Sequence, residues 1–144
     1  MKLILICAVA LLTACGAKPE PAISVERGWA RATPTGASSA AAYLMIVNRA
    51  AGDDRLVSVT VSRAAAATLH ASSVDQGVMR MRALDTGLAI PGNATVRLAP
   101  NGVHIMLTGL TAPLRPGERI PAILRFARSG PKTAVIVVEA AMVR

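Results

Sequence analysis

The sequence predicts an all-β sandwich or barrel. Short apolar or alternating runs recur at intervals of about eight to twelve residues from Ile23 onward, which is the spacing of successive strands. Clusters of Gly, Pro, Asn and Asp separate these runs, and no alternation of strands with long helical patterns is visible. The runs are rich in Val, Ile and Thr, which fit a pleated, half-buried surface.

Taken in order, Ser24–Thr33 reads as a first strand, ended by Pro34-Thr35-Gly36. Ala40–Asn48 is a second. It puts Tyr43, Met45 and Val47 on one face and Leu44 and Ile46 on the other, because side chains alternate along a strand. Ala51-Gly52-Asp53-Asp54 turns into Arg55–Ser62, which alternates Leu56, Val57, Val59 and Val61. Ala64–Ala67 has helical propensity but is short, with β-branched neighbours, and is read as strand or turn. Thr68–Ser72 carries His70, and Asp75-Gln76-Gly77 turns into Val78–Leu84, with Met79 and Met81 on one face. Short strands at Leu88–Ile90 and Thr95–Leu98 follow, around the turn Pro91-Gly92-Asn93. Pro100-Asn101-Gly102 turns into His104–Leu110. Pro113–Gly117 is a loop and Arg119–Ala127 a strand. Gly130-Pro131-Lys132 is expected to turn into a last apolar strand, Thr133–Val143.

The chain has 144 residues, enough for one domain, expected over 23–144. Aromatic residues number three, Trp29, Tyr43 and Phe126, so aliphatic side chains and alanine must fill the core. Trp29 is expected to pack rather than to act, and Met45 and Met142 are expected in the core. The formal charge is +8. The basic residues are scattered, with no Lys/Arg-rich run and almost no aromatic stacking platform, which argues against nucleic acid as a partner.

Residues 1–15 read as a segment that is not part of the fold. Lys2 supplies a positive start, and Leu3–Leu12 is an apolar run of ten, too short to span a bilayer. Leu12-Thr13-Ala14-Cys15 resembles the bacterial lipobox, which implies lipidation of Cys15 after cleavage. Gly16 and Ala17 follow without Asp, a pattern that points to the outer membrane of a periplasm-facing lipoprotein. Residues 16–22, GAKPEPA, read as a tether. With Cys7 removed and Cys15 lipidated, the mature domain has no free thiol for soft-metal chemistry.

The stretch from Leu69 to Leu107 holds both histidines, His70 and His104, and the methionines Met79, Met81 and Met106. Ten residues separate His70 from Met81, twenty-two separate Met81 from His104, and Ile105 alone separates His104 from Met106. Residues two apart on a strand share a face, about 7 Å apart at the backbone. His70, Met81, His104 and Met106 are therefore a candidate set of two imidazoles and two thioethers. Thioether is a soft, neutral donor that suits Cu(I) and not Zn²⁺, Mg²⁺ or Ca²⁺. A blue-copper electron-transfer centre needs a Cys ligand, which the mature domain lacks. Singly, each residue has an ordinary reading: a Met fills core gaps, and a His near a strand end lies at the surface. Met79 shares a face with Met81 and competes with it for the role.

The spacing, together with Gly28-Trp29-Ala30-Arg31-Ala32-Thr33-Pro34, Ala42-Tyr43-Leu44, Asp75–Arg82 and Gly102-Val103-His104-Ile105-Met106-Leu107, resembles the periplasmic copper chaperone family PCu(A)C over about residues 24–140. The resemblance implies a cupredoxin-like Greek-key β-fold and an exposed Cu(I) site at His70, Met81, His104 and Met106. It also implies delivery of copper to the copper-A centre of cytochrome oxidase. A Sco-type thiol protein or a cytochrome oxidase subunit would be the acceptor. Two departures stand: Ala71 occupies a position often held by a second methionine, and the gap before His104 is one residue longer than usual. The chain is expected to act as a lipid-anchored monomer and not as an enzyme. Two rivals remain open: a copper storage or detoxification lipoprotein with the same site, and a metal-free structural or adhesive β-sandwich.

Overall fold

A computed structural model describes residues 22–140. The expected signal segment with Cys15, all but the last residue of the tether, and Met142 lie outside the described residues. Ten strands follow one another: β1 (Ile23–Arg31), β2 (Ser39–Asn48), β3 (Asp54–Val61), β4 (Ala64–Asp75), β5 (Val78–Ala83), β6 (Leu88–Ile90), β7 (Ala94–Leu98), β8 (Val103–Leu110), β9 (Arg119–Phe126) and β10 (Gly130–Glu139). No helix occurs among the described residues.

The strands hydrogen-bond in the order β5-β4-β8-β2-β1-β10-β9-β3-β6, and β7 pairs with the second half of β2 beyond β8. Every pairing is antiparallel except that of the first and last strands, β1 with β10. The sheet curls so that one face encloses the core. Alternate residues of each strand supply it: Leu44 and Ile46 from β2, Leu56 and Val61 from β3, Leu69 from β4, Ile105 and Leu107 from β8, Ile120, Leu124 and Phe126 from β9, and Ile136 and Val138 from β10. This is the all-β, cupredoxin-like fold that the strand spacing and the resemblance imply.

Local chemistry explains where the strands bend. β1 carries a bulge between Glu26 and Trp29, with Arg27 in the left-handed region at φ 50°. Gly28 must lack a side chain there, since a Cβ would stand 2.5 Å from the Val135 carbonyl oxygen of β10. Gln76 and Gly77 both take positive φ, 48° and 80°, which closes the β4–β5 hairpin with the two-residue turn that matches strand twist.

One open local expectation is resolved and two are corrected. Ala64–Ala67, read as strand or turn, is strand: Ala64, Ala66 and Ala67 pair with Leu110, Thr108 and Leu107 of β8, and sheet pairing outweighs the helical propensity of alanine. β4 is accordingly twelve residues long. Gly130-Pro131-Lys132 opens β10 and is not a turn; the turn lies at 127–129. Pro131 is tolerated because β1 pairs with β10 only from Ile136 onward, so this part of the strand needs no donor on its outer side. β10 ends at Glu139, with Ala140 outside the strand; residues 141–143 of the expected strand lie outside the described residues.

Candidate metal centre

The two histidines face each other directly. In the β4–β8 ladder His70 is the cross-strand partner of His104, and His70 also pairs with Ala83 of β5. His70 thus sits where β4 passes from one partner strand to the next. Both imidazoles project from the face opposite Leu69, Ile105 and Leu107, away from the core. Their ring centres are 5.9 Å apart, at 50°. Two imidazoles sharing one metal at about 2.0 Å place their centres no more than about 6.3 Å apart, so this separation fits a single ion.

The hydrogen bonds leave one ring nitrogen free on each histidine. His104 is 4% exposed. Its Nδ1 lies 3.0 Å from the Gly102 carbonyl oxygen, which can only accept. Nδ1 therefore carries the proton, and Nε2 holds the lone pair. The Gly102 carbonyl is itself fixed by the turn, where Gly102 N–H donates to Ala99 and Ser72 N–H donates to Gly102. His70 Nε2 lies 3.1 Å from Thr68 Oγ1. His70 Nδ1 is buried and has no hydrogen-bond partner. If Nε2–H donates to Thr68, that orphan is a bare lone pair; the other tautomer would bury an unpartnered N–H. Either is a cost that a coordinated cation removes at the lone pair.

The methionines flank this pair on the same face. Met106 is half-buried, two residues beyond His104, and its cross-strand partners are Thr68 on β4 and Ala41 on β2. Met81 pairs with Ser72, two residues beyond His70 in the opposite direction, and is 53% exposed. The register thus brings His70 and His104 together and sets Met106 below and Met81 above them. Met79, paired with Val74, stands one step further out than Met81, at 58% exposure.

Four contributors escaped the sequence reading. Thr68 and Gly102 hold the imidazoles, and Ser72 holds Gly102. Tyr43 faces His104 at 6.4 Å between ring centres and stacks on Trp29 at 4.5 Å. Trp29 packs as expected, but as the end of a row of rings that reaches the site. Met45 is corrected from core to the outer face, half-buried. It lines a groove of about 630 Å³ with Trp29, Arg27 and Arg97. That groove is lined by neither histidine; a metal ion needs convergent donors rather than a cavity. No group of three or more His, Cys, Asp or Glu able to hold a metal occurs among the described residues, so a carboxylate cage for a hard cation is not available there.

Fold and site together define a cupredoxin-like β-domain with a histidine pair flanked by thioethers on its outer face. Solved structures share this architecture. The apo PCuAC domain from PmoF1 superposes with a TM-score of 0.70 at 24% identity, over 83% of this chain and 95% of that one. The copper-bound PCuAC domain from PmoF2 gives 0.69 at 26%, over 83% and 94%. CuI-DR1885 from Deinococcus radiodurans gives 0.64 at 25%, over 89% and 85%. The fold is that of PCuAC domains.

Residues 23–138 match the family model described as "Putative lipoprotein LpqE-like", and the chain belongs to that family. "Putative lipoprotein Lxx21020" of Leifsonia xyli subsp. xyli is 33% identical over 122 residues, 85% of this chain and 72% of that protein. "Uncharacterized protein RP573" of Rickettsia prowazekii is 29% identical over 110 residues, 74% of this chain and 61% of that protein.

Proposed function

We propose that the protein is a Cu(I)-binding metallochaperone that holds one ion between His70 and His104, with Met81 and Met106 completing the set. The observation that carries this is the buried, unpartnered Nδ1 of His70, 5.9 Å ring to ring from an imidazole whose own Nδ1 is already committed. Neutral nitrogen and thioether donors favour Cu(I) and keep the site able to release it. The copper-bound forms of PmoF2 and DR1885 support the metal assignment by likeness of fold.

The LTAC sequence at Leu12–Cys15 and the lipoprotein names of the family and its Leifsonia relative support a lipid anchor at Cys15, the new N-terminus after removal of residues 1–14. We place the mature domain, 23–144, in the periplasm on the tether 16–22, attached to the outer membrane, as a monomer with no enzymatic activity. Its acceptor would be a Sco-type thiol protein or a cytochrome oxidase subunit, in assembly of the copper-A centre. An incoming thiolate binds Cu(I) more strongly than a thioether does, so ligand-by-ligand exchange runs toward the acceptor. Exposure of Met81 favours handover over storage.

The test is a Cu(I) titration of the soluble domain against a competing chelator, for wild type beside His104→Ala and Met106→Leu. One tight equivalent, lost or weakened in both variants, is expected. Failure of wild type to compete would leave a structural β-sandwich. Tight binding with no transfer to a thiol acceptor would leave a storage protein.

A further inference from the structure

The donors in the candidate site do not stop at Met81. Along the outer face of the β4–β5 hairpin, Met81 is followed by Met79, two residues nearer the turn and on the same side. The two-residue turn with Gln76 and Gly77 at positive φ fixes this register, and a slip of one residue would turn both sulfurs to the other face. A methionine in a core fills space, but Met79 is 58% exposed and fills none. Its cross-strand partner Val74 is 65% exposed, so neither side chain is packed into the core. β5 is also the end strand of the sheet, with β4 its one neighbour among the described strands. The face therefore carries an ordered row: Met106, then the histidine pair, then Met81, then Met79 at the open edge.

We propose that Met79 is the handover ligand for Cu(I), a thioether outside the resting set that takes the ion as it leaves. This rests on the copper reading above and concerns the route of release from that site. As a histidine–copper bond lengthens, the Met79 sulfur forms a bond to the ion beside Met81, at a position an acceptor can reach. An acceptor thiolate then forms a Cu–S bond, a thioether bond breaks, and the thiol proton goes to solvent. Copper stays Cu(I), and no electron is transferred. The exposed, unpacked side chain supplies the freedom that the step requires, and softness matched to Cu(I) supplies the affinity.

The experiment loads the domain with one equivalent of Cu(I) without oxygen and follows transfer to a short dithiol peptide carrying Cys-x-x-x-Cys. Met79→Leu keeps the bulk and removes the sulfur. It is expected to leave the equilibrium affinity within about twofold of wild type and to slow transfer by about tenfold. Adding Val74→Met in the Met79→Leu background returns a thioether to the paired position on the same face, and is expected to restore most of the rate. Wild-type transfer in Met79→Leu would overturn the proposal. So would a loss of affinity as large as that of Met81→Leu, which would make Met79 a resting ligand. Failure of Val74→Met to restore the rate would assign the effect to shape rather than sulfur and would also overturn it. If wild type itself takes up no Cu(I), the chaperone reading fails, and that outcome is distinct from all three.

Discussion

Two buried polar clusters in this molecule are built in opposite ways. At the β3 end, Asp54 is buried and its carboxylate accepts from the backbone N–H groups of Arg55, Arg128 and Ser129. Nearby, the Asn48 amide donates to the carbonyls of Gly52, Ile90 and Pro91, and its oxygen accepts from Ala50 N–H. That network is closed. At the histidine end, Thr68 and Gly102 each take one ring nitrogen and leave the other open, and His70 Nδ1 is buried with nothing to bond. A chain that satisfies its buried polar groups at one end and leaves an imidazole nitrogen bare at the other has room in its chemistry for a ligand. The closed cluster contributes stability, and the open one is where we propose the ion is held.

Breaking the open cluster should produce the largest effect, and on binding alone. His70→Leu is expected to weaken Cu(I) binding by on the order of 100-fold or more, since a ligand is lost where even the loss of an orienting partner costs up to that much. It should leave thermal stability of the metal-free protein equal or slightly higher, because it removes an orphaned polar atom. Calorimetry of the apo forms and chelator competition read the two halves separately.

Breaking the closed cluster should do the reverse. Asp54→Ala is expected to cost about 2 kcal/mol in urea unfolding, the scale of hydrogen bonds to a charged group, with copper affinity unchanged. The pH dependence follows from the same geometry. Burial opposes the Asp54 charge, but hydrogen bonds from Ser129, Arg128 and Arg55 outweigh it and hold the carboxyl at about 2, below its ordinary 3.8. The folded value is the lower one, so this stabilisation is fully present above about pH 4 and is lost as pH falls through about 2. Wild type should therefore lose stability across that window more steeply than Asp54→Asn.

Thr68→Val sharpens the comparison further. It keeps the β-branched shape and removes the hydroxyl that orients His70, so Cu(I) affinity should fall by about tenfold with little change in folding. The smallest effect expected is optical. Trp29, the sole tryptophan, ends the row of rings that runs through Tyr43 to His104, so its emission should shift on copper loading and respond less in Tyr43→Leu.

Much of this was legible in the chain. The Gln76-Gly77 turn, the alternation that puts Met79 with Met81, and His104 with Met106 across Ile105 all follow from local chemistry. The pairing of His70 with His104 does not, because it depends on which strand lies beside β4, and that is set by core packing far away in sequence. The same gap hid Thr68, whose position two residues before His70 is a usable signal only once the segment is known to be one long strand. Pro131 misled because Gly-Pro-Lys reads as a turn in isolation, and its pairing with Arg125 of β9 decided otherwise. Met45 looked like core because an apolar residue on a strand usually is; here its face of β2 is the outer one.

The central claim is that nitrogen and sulfur donors from both histidines and the flanking methionines converge on one Cu(I). X-ray absorption at the copper edge of the singly loaded domain tests this most directly. The account predicts a Cu(I) edge with both imidazole and sulfur shells, and loss of sulfur scattering in the double variant Met81→Leu/Met106→Leu. A first shell of nitrogen and oxygen alone in wild type would contradict it.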